Sequence, residues 1–219
     1  MLNLSPLTSW LARYARFLLL GGVIVLLPLL LVALSPTKEA VTPSTPATPP
    51  AYSSVRLPEN YHDTFVRYVR VDHRDQIIRD IFINPEVLPD VRPNRALPDG
   101  TVIVIEGYHA QTDANGEPLR DDGGRFVRGE PIDMIHVAEK RSNWQPTDFV
   151  GDDRSGNWNF ASFDSITHQP FDEIMSRCFD CHNSTANTDF MYTFRDLSTF
   201  ALTEDVQYVY CNLSGRSPC

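Results

Sequence analysis

The apolar and polar positions of the chain divide it into three stretches. Residues 17–34 are eighteen consecutive uncharged, mostly aliphatic positions, and as a helix they span about 27 Å, close to the hydrocarbon thickness of a bilayer. Residues 35–50 hold five prolines and four threonines, a composition typical of an extended, semi-rigid spacer. We therefore predict a cytoplasmic stub and transmembrane anchor in residues 1–34, a linker in residues 35–58 and a folded domain in residues 59–219.

The charges that flank the apolar run predict its orientation. Arg13 and Arg16 precede it, whereas Lys38 and Glu39 cancel on the other side, so the positive-inside rule places the N-terminus in the cytoplasm. The folded domain then lies on the periplasmic side of the inner (cytoplasmic) membrane, on a single-pass anchor. A cleavable signal peptide is the alternative, but this run is longer than a signal-peptide core, and the nearest cleavage site, residues 31–33, has a bulky leucine. We expect the anchor to be retained.

Short apolar runs separated by turn residues make the folded domain strand-like. Four runs rich in β-branched and aromatic residues predict strands at residues 79–85, 101–110, 132–138 and 158–163. Residues 113–116 and 121–124 have the composition of loop tips. We expect helices only at residues 60–69 and 170–178. This pattern predicts an α+β fold, a mainly antiparallel β-sheet with flanking helices.

One short motif near the C-terminus carries chemistry. Cys178, Cys181 and His182 form a C-x-x-C-H sequence, in which two thiols can form thioethers with one haem and the histidine then lies beneath the iron. A thioredoxin-like C-x-x-C belongs early in a βαβ unit. A zinc site needs a second ligand pair, whereas seven residues separate Cys211 from Cys219. The motif predicts one covalently attached haem c, with His182 as ligand to its iron.

The charge of the chain restricts its partners. The net charge is −9 and the isoelectric point is about 5.0, which argues against nucleic acid as a partner. The exported domain is more acidic still, because residues 1–51 carry a net positive charge. We expect a redox partner protein that is basic or membrane-bound. In an oxidising compartment Cys211 and Cys219 are expected to form a disulfide, with free thiols as the alternative.

Four segments together resemble the cytochromes P460 and the related β-type cytochromes c′. These segments are RDIFINPE at residues 79–86, LPDGTV at 97–102, GNWNF at 156–160 and the haem motif at 178–182. The resemblance implies a mostly antiparallel sheet carrying a five-coordinate haem c, with His182 as the proximal ligand. It implies that the open side of the iron binds small molecules such as hydroxylamine or nitric oxide. Members of this family are often dimers.

The resemblance also points to a residue that is missing. P460 enzymes cross-link a lysine to the haem from the strand after the D-G-T-V turn, where this sequence has Ile105. Its two lysines are Lys38, in the linker, and Lys140, just past a different strand. We therefore predict a haem without the cross-link. Strand alternation places His109 on the same face as Ile105 but about 13 Å further along, at the rim or outside the pocket.

Other candidate site residues have weaker patterns. Arg79 matches a family arginine that could bind a haem propionate or restrain the histidine, the alternative being a solvated charge at a strand edge. Phe160, Phe163 or Phe126 could form an apolar lid over the iron. Three residues could supply a sixth ligand, and we expect none of them to do so: Met134, His136 and Met191.

Two classes of function remain open. The first is a haem protein that binds nitric oxide or hydroxylamine-class ligands and exchanges electrons. If this protein is an enzyme, it is an oxidoreductase acting on one of these molecules. The sequence identifies no catalytic residue for such a reaction. The second is an electron-transfer haem subunit of a membrane redox complex without ligand chemistry. Tethering suits the second class, because it concentrates the haem near a membrane-bound partner. The fold implied by the resemblance argues against simple electron transfer, so the ligand-binding cytochrome comes first and the electron-transfer subunit is the alternative. A homodimer or a place in a larger membrane complex fits either class.

Overall fold

The centre of the fold is a six-stranded sheet within residues 52–171 and 174–212, the part of the chain that this computed structural model describes. The predicted anchor in residues 1–34 and most of the predicted linker lie outside the described residues. Within the described part no helix is long and apolar enough to cross a membrane.

The sheet is mixed, with one parallel pair. Its strands are β1 Val66–His73, β2 Ile77–Ile83, β3 Val102–Ala110, β4 Arg128–Lys140, β5 Trp158–Asp164 and β6 Gln207–Cys211, in the order β5-β4-β3-β2-β1-β6. The helices are α1 Tyr61–Thr64, α2 Ser176–Asn183 and α3 Phe194–Thr203, and short 3-10 turns occur at Pro85–Asp90, Pro146–Asp148 and Ala186–Thr188. Only β1 and β6 pair in parallel. The predicted α+β class and the mainly antiparallel sheet are therefore confirmed.

Strand alternation gives the sheet two buried faces. One face, which we call the inner face, carries Ile81, Ile103 and Phe160 and packs against α2 and α3. The opposite, outer face carries Val104 and Phe163, which belong to a second apolar cluster that also contains the N-terminal residue Val55 and Tyr61 of α1. Because both the inner and the outer face of the sheet are covered, the sequences of these strands are nearly continuous apolar runs.

The helix predicted at residues 60–69 is wrong over most of its length. The chain is helical only through Tyr61–Thr64, and strand β1 begins at Val66. The segment contains β-branched and aromatic residues that favour a pleated surface, and β1 pairs with strands on both sides. A β-bulge between Arg67 and Val69 interrupts its alternation, so the period-2 pattern that identifies a strand is broken there.

The helix predicted at residues 170–178 begins too early. Pro170 forms an isolated bridge with Phe163, and α2 starts at Ser176 and runs through the haem motif to Asn183. Helix α3 and strand β6 are not among the predicted elements. Helix α3 buries Leu197 and Phe200 against β1, and β6 ends at Cys211, which is buried and disulfide-bonded. The predicted partner of this cysteine, Cys219, lies outside the described residues.

Candidate functional site

A cavity of about 370 Å³ lies between the inner face of the sheet and helix α2. This volume is within the range of about 300–1,000 Å³ that is typical of cofactor and small-molecule sites. Its sheet wall is mainly aliphatic, with Ile81, Ile103 and Ile105 among the lining residues. Its helix wall carries Cys178, Cys181 and His182. The cavity therefore brings the whole haem motif against an apolar surface.

His182 is oriented by a hydrogen bond to the backbone. Its Nδ1 lies 2.5 Å from the carbonyl oxygen of Phe190, and because a carbonyl only accepts, Nδ1 carries the proton. Burial lowers the pKa of His182, and the hydrogen bond to Phe190 offsets part of this effect. The imidazole is thus neutral, with its lone pair on Nε2, which is the state in which histidine binds iron.

The two cysteines lie on the same side of α2. Cys178 and Cys181 are three residues apart, a spacing that places side chains on one helix face. Both are partly buried thiols. Tyr192 lies beside Cys181, donating its hydroxyl to the Cys181 carbonyl at 2.6 Å, with 3.3 Å between the hydroxyl and Sγ. The helix thus presents two sulfur atoms and one imidazole to one cavity, as covalent haem attachment requires.

The loop that carries the Phe190 carbonyl has unusual backbone geometry. Asp189 and Phe190 have φ angles of 53° and 63°, in the left-handed region that costs a non-glycine residue about 1–2 kcal/mol. The Phe190 ring packs where Gly156 leaves space, since a Cβ at that glycine would lie 2.6 Å from the ring. Lys140 Nζ lies 2.7 Å from Asp189 Oδ2 and both side chains are largely buried. Non-glycine residues persist in such conformations only where their surroundings hold them.

Three further residues predicted for the site line this same cavity: Arg79, Ile105 and Phe160. The Phe160 ring lies 4.5 Å from the His182 ring, with 33° between their planes. Arg79 Nη1 lies 3.2 Å from Nε2 of His73, which also lines the cavity. Ile105 lines the cavity, as the family resemblance implies, whereas Lys140, the one lysine in the described part of the chain, is not among the lining residues.

The remaining candidates divide between the cavity and other places. Met134, His136 and Met191 line the cavity, and His136 Nδ1 lies 3.0 Å from Ser162 Oγ. His109 is exposed at the end of β3. The lid predicted from Phe163 or Phe126 is wrong, because both pack in clusters away from the cavity. Phe163 is three positions after Phe160 on the same strand, and such an odd separation sends the two side chains to opposite faces.

The structure adds polar residues that the sequence did not single out. His73, Arg177 and Tyr192 line the cavity. His73 was missed because it lies in β1, where the sequence pattern predicts no strand: the helix predicted at residues 60–69 covers the start of β1, and residues 70–73 had no predicted element. Burial lowers the pKa of His73, and the neighbouring Arg79 lowers it further, against a smaller opposite effect of Asp75. Arg177 directly precedes the first cysteine, and that position is the one signal that could have identified it.

A C-x-x-C-H helix packed against an apolar cavity of this size defines the chain as a c-type haem protein. A family model described as Cytochrome P460 matches residues 58–193, which is more than half of the chain and includes the whole haem motif. The chain belongs to the cytochrome P460 family. No curated protein matches it.

Proposed function

We propose that this chain is a membrane-anchored periplasmic cytochrome that binds a small ligand of the nitric oxide or hydroxylamine class at a five-coordinate haem c and exchanges electrons. The observation that carries the proposal is the geometry of His182, an imidazole held through Nδ1 in a cavity whose opposite wall is mainly aliphatic. One iron ligand is thus provided by the helix, and the inner face of the sheet supplies Ile81 and Ile105, which offer no second ligand at their positions.

The residues that line the cavity fit a haem. Cys178 and Cys181 would form the two thioethers, and His182 Nε2 would bind the iron. Arg79 and Arg177 provide positive charge in the same cavity, which suits the two carboxylates of a haem. The haem would supply an iron centre that binds a small ligand and changes oxidation state. The protein's own part would be to hold the ring, to present the imidazole and to face the ring with a mainly aliphatic sheet wall.

The position of Ile105 supports a haem without the lysine cross-link. Ile105 lines the cavity at the place where the family resemblance implies the cross-linking lysine, and Lys140 is engaged with Asp189 at 2.7 Å. We therefore propose reversible ligand binding ahead of hydroxylamine oxidation as the main activity. An enzyme of the oxidoreductase class acting on either molecule is the narrower version of this proposal.

A second candidate function is electron transfer without ligand chemistry. Met134, His136 and Met191 all line the cavity, and each side chain is of a type that binds haem iron. Occupation of the sixth position by one of them would close the iron to gases. The predicted anchor and the acidic domain, with their expected basic or membrane-bound partner, serve this function equally well.

The absorption spectrum of the purified full-length protein, reduced and then exposed to nitric oxide, separates these functions. We expect a high-spin haem c spectrum that changes when the gas is added. A low-spin spectrum that does not change would refute ligand binding and leave the electron carrier. In that case His136→Phe and Met134→Leu would identify the ligand by converting the spectrum to high spin. A red-shifted Soret band before any addition would reveal a cross-link and overturn the interpretation of Ile105.

Membrane attachment is tested separately. We expect the full-length protein to stay with the membrane fraction after extraction at high pH, and a variant with two charged substitutions in residues 17–34 to be released. Release of the unaltered protein would contradict the anchor and favour a cleaved leader.

A further inference from the structure

A buried ion pair joins the end of β4 to Asp189, seven residues after His182 in the chain. Lys140 is the last residue of β4, and its Nζ lies 2.7 Å from Asp189 Oδ2, with side-chain exposures of 7% and 12%. The indole ring of Trp158, the strand partner of Lys140, lies 5.8 Å from the same Nζ and is fully buried. A buried ion pair is weak support for stability, because desolvation offsets much of the attraction, but it does restrict geometry.

The carboxylate of this pair fixes a strained turn. Asp189 Oδ2 also accepts a hydrogen bond from the backbone amide of Leu97 at 2.7 Å. Two contacts, one from the end of β4 and one from the loop before β3, thus hold Asp189, the first of the two left-handed residues Asp189 and Phe190. The Phe190 amide donates to the Thr185 carbonyl at 2.9 Å, which ties the turn back to the end of the haem-motif segment.

The strained turn positions one functional atom, the carbonyl oxygen of Phe190, which accepts a hydrogen bond from His182 Nδ1 at 2.5 Å. The partner of a ligating histidine sets both the orientation of the ring and its basicity, so its placement affects the iron. Nothing in the sequence around Lys140 indicates such a connection, because Lys140 and Asp189 are far apart in the chain.

We propose that Lys140 is a positioning residue for the haem ligand: through Asp189 it holds the turn that presents the Phe190 carbonyl to His182. This inference rests on the proposed function, in which His182 binds the haem iron. Neutralising Lys140 lets the turn relax toward right-handed backbone, lengthens the histidine hydrogen bond and reduces the basicity of the imidazole. A less basic ligand stabilises ferric iron less, so the reduction potential rises.

The test compares the haem-loaded, full-length protein with three variants. Lys140→Met removes the charge and keeps the length, Lys140→Arg keeps the charge, and Arg70→Met is the control. Arg70 pairs with Asp72 at 3.1 Å, with exposures of 12% and 8%, and it belongs to the outer face of the sheet. The readouts are the midpoint potential and the iron–histidine stretching frequency of the ferrous protein.

We expect Lys140→Met to raise the midpoint potential by about 59 mV, which corresponds to a tenfold change in a one-electron equilibrium, and to lower the stretching frequency. Lys140→Arg should restore much of both values, and Arg70→Met should leave them unchanged. The same values in Lys140→Met and in the wild type, or equal shifts in Lys140→Met and Arg70→Met, would overturn the proposal.

A second variant covers the case in which Lys140→Met does not fold. Asp189→Asn keeps an acceptor for the Leu97 amide and removes only the charge pairing, and it should shift both readouts in the same direction. Absence of an iron–histidine band in the wild-type ferrous protein would refute the proposed function together with this inference. A wild-type band that does not move in either variant refutes this inference alone.

Discussion

Phe160 gives the most direct test of the cavity, because it is buried and its ring packs against that of His182. It is 5% exposed, and its ring lies 5.1 Å from Phe179 and 4.5 Å from His182. A phenylalanine of this kind buries about 200 Å², which at about 25 cal/mol/Å² is worth about 5 kcal/mol. This agrees with the 3–5 kcal/mol typical of buried Phe→Ala substitutions. We therefore expect Phe160→Ala to lower the free energy of unfolding by about 3–5 kcal/mol.

Phe163 provides a matched control on the same strand. It is 4% exposed and packs in the apolar cluster of the outer face, so Phe163→Ala removes the same atoms without touching the cavity. Both variants should lower the melting temperature by about 6–20 °C, since each kcal/mol corresponds to about 2–4 °C for a domain of this size. Only Phe160→Ala should also change the haem absorption spectrum and the affinity for nitric oxide.

Circular dichroism melts and titration of the reduced protein with nitric oxide measure these two effects. Equal changes of the haem spectrum in both variants would refute the assignment of the inner face to the haem. A loss of less than about 1 kcal/mol in Phe160→Ala would refute the packing argument, because a side chain this buried should leave a cavity.

Three further predictions concern charge, protonation and attachment. Asp80 is fully buried, and its charge partners are Arg67, at 3.3 Å, and Arg128. We expect Asp80→Ala to lower the free energy of unfolding, measured in urea, by about 3–5 kcal/mol, because both cations lose their counterion. A decrease of less than about 1 kcal/mol would contradict this prediction. The pKa of His73 is lowered by its burial and by Arg79, so the folded state binds its proton less readily than the unfolded chain. The wild type should therefore lose stability relative to His73→Gln as the pH falls below about 6.5, the pKa of histidine in the unfolded chain. Above about pH 7.5 the difference in unfolding free energy between the two proteins should be constant. Stability curves that run parallel at all pH values would refute this prediction. Finally, the double variant Cys178→Ala, Cys181→Ala should lose its haem on a denaturing gel, whereas each single variant should retain a haem-stained band; retention in the double variant would disprove thioether attachment.

The sequence predicts the parts of this molecule that depend on local pattern. Strands β2 to β5 were predicted because β-branched and aromatic residues alternate or run continuously between turn residues. The family resemblance placed Ile105 at the haem, alternation placed His109 on the same face of the strand, and the spacing of the haem motif identified its three residues. In each case the information lies within about ten consecutive positions, where backbone geometry relates sequence spacing directly to side-chain direction.

The parts that the sequence did not predict depend on contacts between distant segments. Strand β1 was missed because its bulge between Arg67 and Val69 interrupts the alternation. The left-handed turn at Asp189 and Phe190 contains no glycine or asparagine at those positions to announce it, and tertiary contacts with Lys140 and Leu97 hold it. Phe163 was misassigned because an aromatic residue in a strand covered on both sides gives no indication of which face it occupies.

The parallel pairing of β1 with β6 has a consequence for how the protein is made. Strand β1 is near the start of the described chain, and its neighbour β6 is the last strand, so the sheet closes only after nearly the whole domain has been synthesised. Pairing between such distant segments is slow. Helix α2, with both thiols, precedes β6 in the chain, so the attachment cysteines emerge while one side of β1 is still uncovered. Attachment of a haem to these thiols would thus have an interval in which the fold is open, and a chain shortened before β6 would leave the eight-residue strand β1 as an unpaired edge of the sheet.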